Sequence, residues 1–357
     1  MKVGILTVHR AINIGAILQT YALQEVIRSM GIDVEVIDYV QEKVERVDRE
    51  PYDFKKWISM ITHGHFRGAL CFRSLKNRVK KQRDIFDDFL RNSLLLSEKC
   101  KSNTIPSDYD AYVIGSDQLW NSSIFEGKDE VIFWGNFKRK STAKVMAYAC
   151  STTPENLSKS SIDFIKKSLK NFNYISLREG DTTEYINSVF NLSKKAEWVL
   201  DPTLTANPEI WRKMCRGRFR EEKYILYYAA RTYKKDSNLL LKKTQELAES
   251  IGCSVKTLTM ERVSDYLDLI NNAQAVVSSS FHGIVFSLIF NKPLLAVTYG
   301  DNQDKRYVSL LKKIGGEEML VDINDKFTIQ PIDYSSINAN IAEWRTQSRK
   351  YLSQICD

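Results

Sequence analysis

The chain has 357 residues and a formal net charge of +8 at neutral pH, with apolar and charged fractions typical of a folded, water-soluble protein and length enough for two domains. No run approaches the ~18 consecutive apolar residues that a membrane-spanning helix needs. Cys71, Cys100, Cys150, Cys215, Cys253 and Cys356 are scattered without a C-x-x-C pair, which argues against a zinc ribbon and against a disulfide-stapled domain.

The opening MKVGILTVHR runs straight into a strand pattern over Lys2 to Val8, without a signal peptide's longer apolar segment, so the expected compartment is the cytosol. A turn carrying Asn13 and Gly15 leads into a helix over about 16–30, with Ile17, Leu18, Tyr21, Leu23 and Ile27 on its apolar face. Gly31 ends it, and Asp33 to Tyr39 is the second strand. This βαβ unit holds one turn glycine, not the G-x-G-x-x-G dinucleotide fingerprint. Residues 41–107 form a polar, basic, helical insertion. Within it, residues 55–83 interleave Lys55, Lys56, Arg67, Arg73, Lys76, Arg78, Lys80 and Lys81 with Trp57, Phe66 and Phe72. That mixture fits either an anionic membrane surface or amphipathic helices with their lysines in water. No nucleic-acid recognition module accompanies the charge.

Asp110 to Ile114 is a strand that ends on Gly115-Ser116-Asp117-Gln118-Leu119-Trp120-Asn121, small and polar residues at the carboxyl edge where α/β sheets bind ligands. Strands follow at Lys144 to Ala149, at Tyr174 to Leu177 with Arg178-Glu179 at its exit, and at Glu197 to Leu200 before Asp201-Pro202-Thr203. The arginine-rich stretch Pro208 to Lys223 reads as a linker. The second half restarts with the strand Tyr224 to Arg231, a helix over about 238–250, the strand Ser254 to Thr259 and a short helix to Asn271. Ala275 to Val297 is then strand, serine-rich turn, helix and strand, with His282 and Gly283 where the strand gives way to the helix. Free N–H groups and the helix dipole favour an anion at such a turn. The plainer alternative is a serine cap beside a buried histidine. Lys305 to Ile314 and Ile337 to Leu352 are helical. His63 and His65 are the one close histidine pair and lack H-E-x-x-H spacing, so no metal is expected.

Three stretches taken together resemble the polysaccharide pyruvyl transferase family: GILTVHRAINIGAILQTYALQ, then Ala111 to Asn121, then Ser279-Ser280-Phe281-His282-Gly283. Arg178-Glu179 and Asp201-Pro202-Thr203 stand in the expected order between them. The resemblance implies an α/β protein of two Rossmann-like domains in a GT-B-like glycosyltransferase architecture. Residues 1–207 are expected to form the acceptor-side domain, 208–223 the linker, 224–337 the donor-side domain and 338–357 a C-terminal helix. It further implies transfer of the pyruvyl group of phosphoenolpyruvate to two hydroxyls of a sugar as a cyclic ketal, in capsule, exopolysaccharide or cell-wall polymer synthesis. Phosphoenolpyruvate is a co-substrate, and no other cofactor is expected.

Donor contacts are implied at Arg231 and His282. An arginine fork and helix N-terminal donors suit a carboxylate and a phosphate, so Ser279, Ser280, Gly283 and Arg178 join them on the donor side. Asn13, Gly15, Asp117 and Trp120 are expected on the acceptor side, Trp120 as a stacking face for a sugar. His282 either gives a proton or holds the leaving phosphate. Asp117 accepts a hydroxyl proton, hydrogen-bonds the sugar or caps a helix. A galactose-like or N-acetylhexosamine acceptor on a polyprenyl carrier would give residues 55–83 a role at the inner face of the plasma membrane. Two other readings remain: a GT-B-like glycosyltransferase using a nucleotide sugar, and a non-catalytic sugar-phosphate binding protein.

Overall fold

The computed structural model describes residues 1–45, 58–59, 62, 66–121, 124, 128–157, 162–229 and 234–357. Two sheets, every pairing in them parallel, organise the chain. The first comprises β1 (Lys2–Leu6), β2 (Asp33–Val36), β3 (Ala111–Ile114), β4 (Lys144–Cys150), β5 (Tyr174–Leu177) and β6 (Glu197–Trp198), in the order β2-β1-β3-β4-β5-β6. The second comprises β7 (Tyr224–Tyr228), β8 (Ser254–Thr257), β9 (Ala275–Ser278), β10 (Leu294–Thr298) and β11 (Leu320–Asp322), in the order β11-β10-β9-β7-β8. β3 and β9 are buried along their whole length, as strands covered on both faces must be.

Each strand order reverses once, between β1 and β3 in the first sheet and between β7 and β9 in the second. Such a reversal opens a crevice at the carboxyl ends of the strands, because the connecting helices leave on opposite faces. The turns after β1 and β3 flank one crevice, and the turns after β7 and β9 flank the other. The motifs at Asn13–Gly15, Gly115–Asn121 and Ser279–Gly283 therefore sit where the two topologies leave room.

The halves are joined by more than a linker. The stretch 208–223 contains the helix Glu209–Met214, whose Trp211 is fully buried. Its ring packs edge-on against Tyr21 of the first domain, centroids 5.9 Å apart, and against Phe286 of the second at 5.0 Å. A hydrophobic pattern this short is masked in the sequence by the arginines around it. The C-terminal helix Tyr334–Ser353 recrosses to the first domain. There Trp344 donates to the Trp198 carbonyl at 3.2 Å, and the Ser348 hydroxyl accepts the Leu200 N–H at 3.0 Å. Of the basic insertion, the helix Phe66–Ser93 is described. Phe86, Phe89 and Leu90 are buried on one side of it, whereas Lys76, Arg78, Lys80 and Lys81 are exposed. Lys55, Lys56 and Trp57 lie outside the described residues.

Candidate functional site

The two crevices face each other, and His282 marks the meeting point. β9 ends at Ser278, Ser280 caps the helix Phe281–Ile289, and His282 falls in its first turn, where its ring reaches the first domain. It lies so close over Gly15 that a Cβ at that position would collide with Nδ1. Gly15 itself opens the helix Ile14–Arg28, where the Asn13 side chain accepts the N–H groups of Gly15 and Ala16 at 2.9 and 3.2 Å. Asn13 is thus an exposed N-cap whose carbonyl oxygen is committed to the helix.

Behind His282 lies a buried polar knot. Arg178, at the exit of β5, donates from Nη1 to Asp201 Oδ2 at 2.8 Å and from Nε to Glu179 Oε1 at 3.3 Å. Its guanidinium lies 4.0 Å from the centroid of the Phe281 ring, so an N-domain cation rests on the C-domain turn. Asp201 caps the short helix Pro202–Thr205. Oδ1 receives the Thr203 N–H at 3.0 Å and hydroxyl at 2.6 Å, while Oδ2 receives the Ser116 hydroxyl at 3.3 Å. His282 Nε2 stands 3.9 Å from the same Oδ2. Glu179 Oε1 also accepts from Ser151 at 2.6 Å.

Three polar atoms of this knot, Arg178 Nη2, Glu179 Oε2 and His282 Nε2, are buried without a hydrogen-bond partner, as are Thr152 Oγ1 and Ser279 Oγ on the adjoining strand ends. Unpaired buried polar atoms are costly, and a cluster drawn from the strand ends of both domains marks a place built to receive polar groups. Burial holds the His282 imidazole below its ordinary pKa; Arg178 and Arg306 add to that effect, and Asp201 and Asp117 oppose it. Burial acts to raise the Asp201 carboxyl, but His282, Arg178 and the Thr203 hydrogen bond outweigh it and hold the group below the usual carboxylate range. Burial wins at Glu179, whose carboxyl is pushed up despite Arg178 and Ser151. The site thus contains a neutral base, an ionised carboxylate and a carboxyl that holds its proton more tightly than usual.

The other expected residues divide. Asp117 is half-buried at a left-handed φ of 82°, and its Oδ1 accepts its neighbour's N–H, Gln118, at 2.8 Å. No helix begins there; a turn follows, and the residue acts electrostatically on both Arg178 and His282. The Ser280 hydroxyl accepts the Gly283 N–H at 3.4 Å, and Gly283 packs against Ser278 and Tyr228 so tightly that no side chain fits. Trp120 is not a sugar platform. It is 2% exposed, stacks on Trp134 at 4.3 Å with ring planes 7° apart, and donates to the Phe133 carbonyl. Both its faces belong to the domain core. Arg231 lies outside the described residues. Sequence reasoning did not single out Asp201 as a site residue, or Glu179, Ser116 and Arg306. Their nearest signal was the pair of short motifs Arg178-Glu179 and Asp201-Pro202-Thr203. Among the described residues no three His, Cys, Asp or Glu side chains gather as a metal set.

A family model described as polysaccharide pyruvyl transferase matches residues 13–302. No curated protein matches the chain. Among solved structures, an α-glucosyltransferase in complex with UDP and a 13-mer DNA is similar over 99% of this chain and 95% of its own, with a TM-score of 0.50 and 9% identity. A UDP-GlcNAc 2-epimerase from Methanocaldococcus jannaschii is similar over 96% and 92%, with a TM-score of 0.48 and 11% identity. At 9% identity the likeness to the glucosyltransferase concerns the fold alone: two Rossmann-like domains in the GT-B arrangement.

Proposed function

The chain belongs to the polysaccharide pyruvyl transferase family, and on that footing we propose that it moves the pyruvyl group of phosphoenolpyruvate onto two hydroxyls of one sugar residue, forming a cyclic ketal. The observation that carries this reading is the interdomain knot, where a neutral histidine and an arginine with a free N–H meet at the Asp201 carboxylate. The donor's carboxylate and phosphate are assigned to the second-domain turn Ser279–Gly283, to Arg178 Nη2 and to Arg231. Arg306 contributes further positive charge. The acceptor is assigned to the first-domain side, along Asn13, Gly15 and Asp117.

The chemistry needs one proton delivered to the donor's methylene carbon and two removed from the acceptor. Protonation of the methylene makes C2 electrophilic, and the first hydroxyl oxygen bonds to it as its proton passes to the neutral His282 imidazole. The C2–O bond to phosphate then breaks, the phosphate leaves with the proton that His282 had taken, and the second hydroxyl closes the ring on C2 as its proton passes to the freed imidazole, balancing the one delivered to the methylene. A low imidazole pKa suits His282 to the accepting role. The acceptor class proposed is a galactose-like or N-acetylhexosamine residue of a capsule, exopolysaccharide or cell-wall precursor. A polyprenyl-linked precursor at the cytoplasmic membrane face would meet the exposed lysines and arginines of the helix Phe66–Ser93.

The test is to incubate the protein with phosphoenolpyruvate and a panel of such saccharides, reading phosphate release and the new ketal methyl resonance by NMR. The expected result is stoichiometric release of phosphate with appearance of the ketal, abolished in His282→Ala. Turnover of UDP-sugars with none of phosphoenolpyruvate would replace this reading with glycosyl transfer.

A further inference from the structure

We propose that Asp201 is a positioning residue that turns the Nε2 edge of His282 inward, leaving Nδ1, over the bare Cα of Gly15, as the nitrogen that meets substrate. The catalytic consequence rests on the function proposed above; the geometry does not.

Nε2 is wholly buried and has no hydrogen-bond partner, while the His282 side chain keeps 11% of its surface exposed. Nδ1 is not among the fully buried unpaired atoms, and it lies against the position where Gly15 has no side chain. A neutral imidazole has one N–H and one lone pair. With a carboxylate oxygen 3.9 Å from Nε2, the N–H belongs on Nε2 and the lone pair on Nδ1. Gly15 then has a stated purpose: any Cβ there would collide with the ring at Nδ1 and push the imidazole out of this position. When Nδ1 takes the proton of the attacking hydroxyl, the imidazolium formed is stabilised through Nε2–H by Asp201.

At 3.9 Å the two groups are beyond hydrogen-bond distance. Catalytic contacts are commonly long without substrate and tighten with it. Here a small turn of the imidazole, with substrate bound, closes the remaining distance. Asp201 is fixed for that purpose. Thr203 holds Oδ1 and Arg178 holds Oδ2, with the Ser116 hydroxyl 3.3 Å from Oδ2. The charged groups acting on the imidazole are Asp201, Arg178 and Asp117 from the first domain and Arg306 from the second. Of these, Asp201 is the nearest carboxylate and works against burial.

The test begins without substrate. Ring-nitrogen NMR on 15N-labelled protein, with His282→Gln assigning the resonance among the four histidines, is expected to show the Nε2–H tautomer at neutral pH. An Nδ1–H tautomer overturns the proposal, whether or not pyruvyl transfer is ever detected. Asp201→Asn supplies the second readout. Loss of the carboxylate is expected to move the His282 titration, and with it the acid limb of kcat/KM, to lower pH. It is also expected to cut kcat on the order of 10²-fold with little change in donor KM, and Asp201→Glu should recover part of the loss. An unmoved titration in a folded Asp201→Asn variant overturns the proposal. If that variant does not fold, the wild-type tautomer decides alone.

Discussion

Gly15 is the residue at which the site tolerates least. Gly15→Ala puts a methyl group into the His282 imidazole, and the ring must rotate or the domains must part. A displacement of about 1 Å in a reacting group costs on the order of 10²-fold in rate, whereas overpacking at one position costs about 1–3 kcal/mol of stability. Steady-state kinetics beside urea unfolding should therefore show activity falling far more than stability; unchanged turnover would remove His282 from the reaction. Glu179 gives a residue-scale prediction of opposite kind. Burial first, only partly countered by Arg178 and Ser151, raises its carboxyl in the folded state. Between the unfolded carboxyl's pKa of ~4.3 and the raised folded value, the folded chain holds a proton the unfolded chain has lost. Stability therefore falls as pH rises through that window, and the cost is full above it. Glu179→Gln should gain stability at pH 7 and gain none below pH ~4, which paired denaturation curves at the two pH values would check. The sequence displayed His282 and Gly15 in recognisable motifs, but their contact spans 267 positions and no local pattern encodes it. Trp120 misled because local spacing alone does not separate an aromatic stacked in a core from one offered to a sugar.

The C-terminal helix Tyr334–Ser353 is the element whose role was least visible. Its helical pattern was legible, but the domain it would cover was not, since a helix following the second sheet has no local reason to return to the first. It does so through side chains that hold backbone groups near Asp201. The Ser348 hydroxyl accepts the Leu200 N–H, and Arg345 Nε donates to the Leu204 carbonyl at 2.7 Å. Leu200 and Ser348 are both buried, so Ser348→Ala leaves an N–H without a partner, a cost of about 1–3 kcal/mol. Because that N–H belongs to the residue before Asp201, the variant is expected to lose activity beyond its loss of stability. Equal kcat in a protein destabilised by that amount would show that the helix merely packs. Strands and helices with strong periodicity were readable to within a few residues, as at β9 and the helix Phe281–Ile289. β11 was not read, because three residues, Leu320–Asp322, carry no period. The motif Asp201-Pro202-Thr203 forms a one-turn helix capped by Asp201.

On the scale of the whole molecule, the site exists only where two separately built sheets meet, and the charge is distributed with the same division of labour. The turn Ser279–Gly283, with His282, belongs to the second domain, while the exposed cations of Lys76, Arg78, Lys80 and Lys81 belong to a helix fixed to the first by Phe86, Phe89 and Leu90. Among the described residues no helix is long and apolar enough to cross a membrane; contact with a lipid-borne acceptor is assigned to these exposed cations as a prediction. Each basic residue near an anionic bilayer contributes about 1 kcal/mol, so four together are enough for measurable but weak attachment. The protein is therefore expected to sediment with phosphatidylglycerol vesicles at low ionic strength and not with phosphatidylcholine vesicles. Attachment should disappear near 1 M salt, where the Debye length shrinks to ~3 Å. Replacing Lys76, Arg78, Lys80 and Lys81 by Glu should abolish it while leaving turnover of a soluble saccharide acceptor intact, because none of the four contributes to the His282 knot. Wild-type protein that ignores anionic vesicles at low salt would return this helix face to plain solvent. The acceptor would then have to be one that diffuses to the cleft in water.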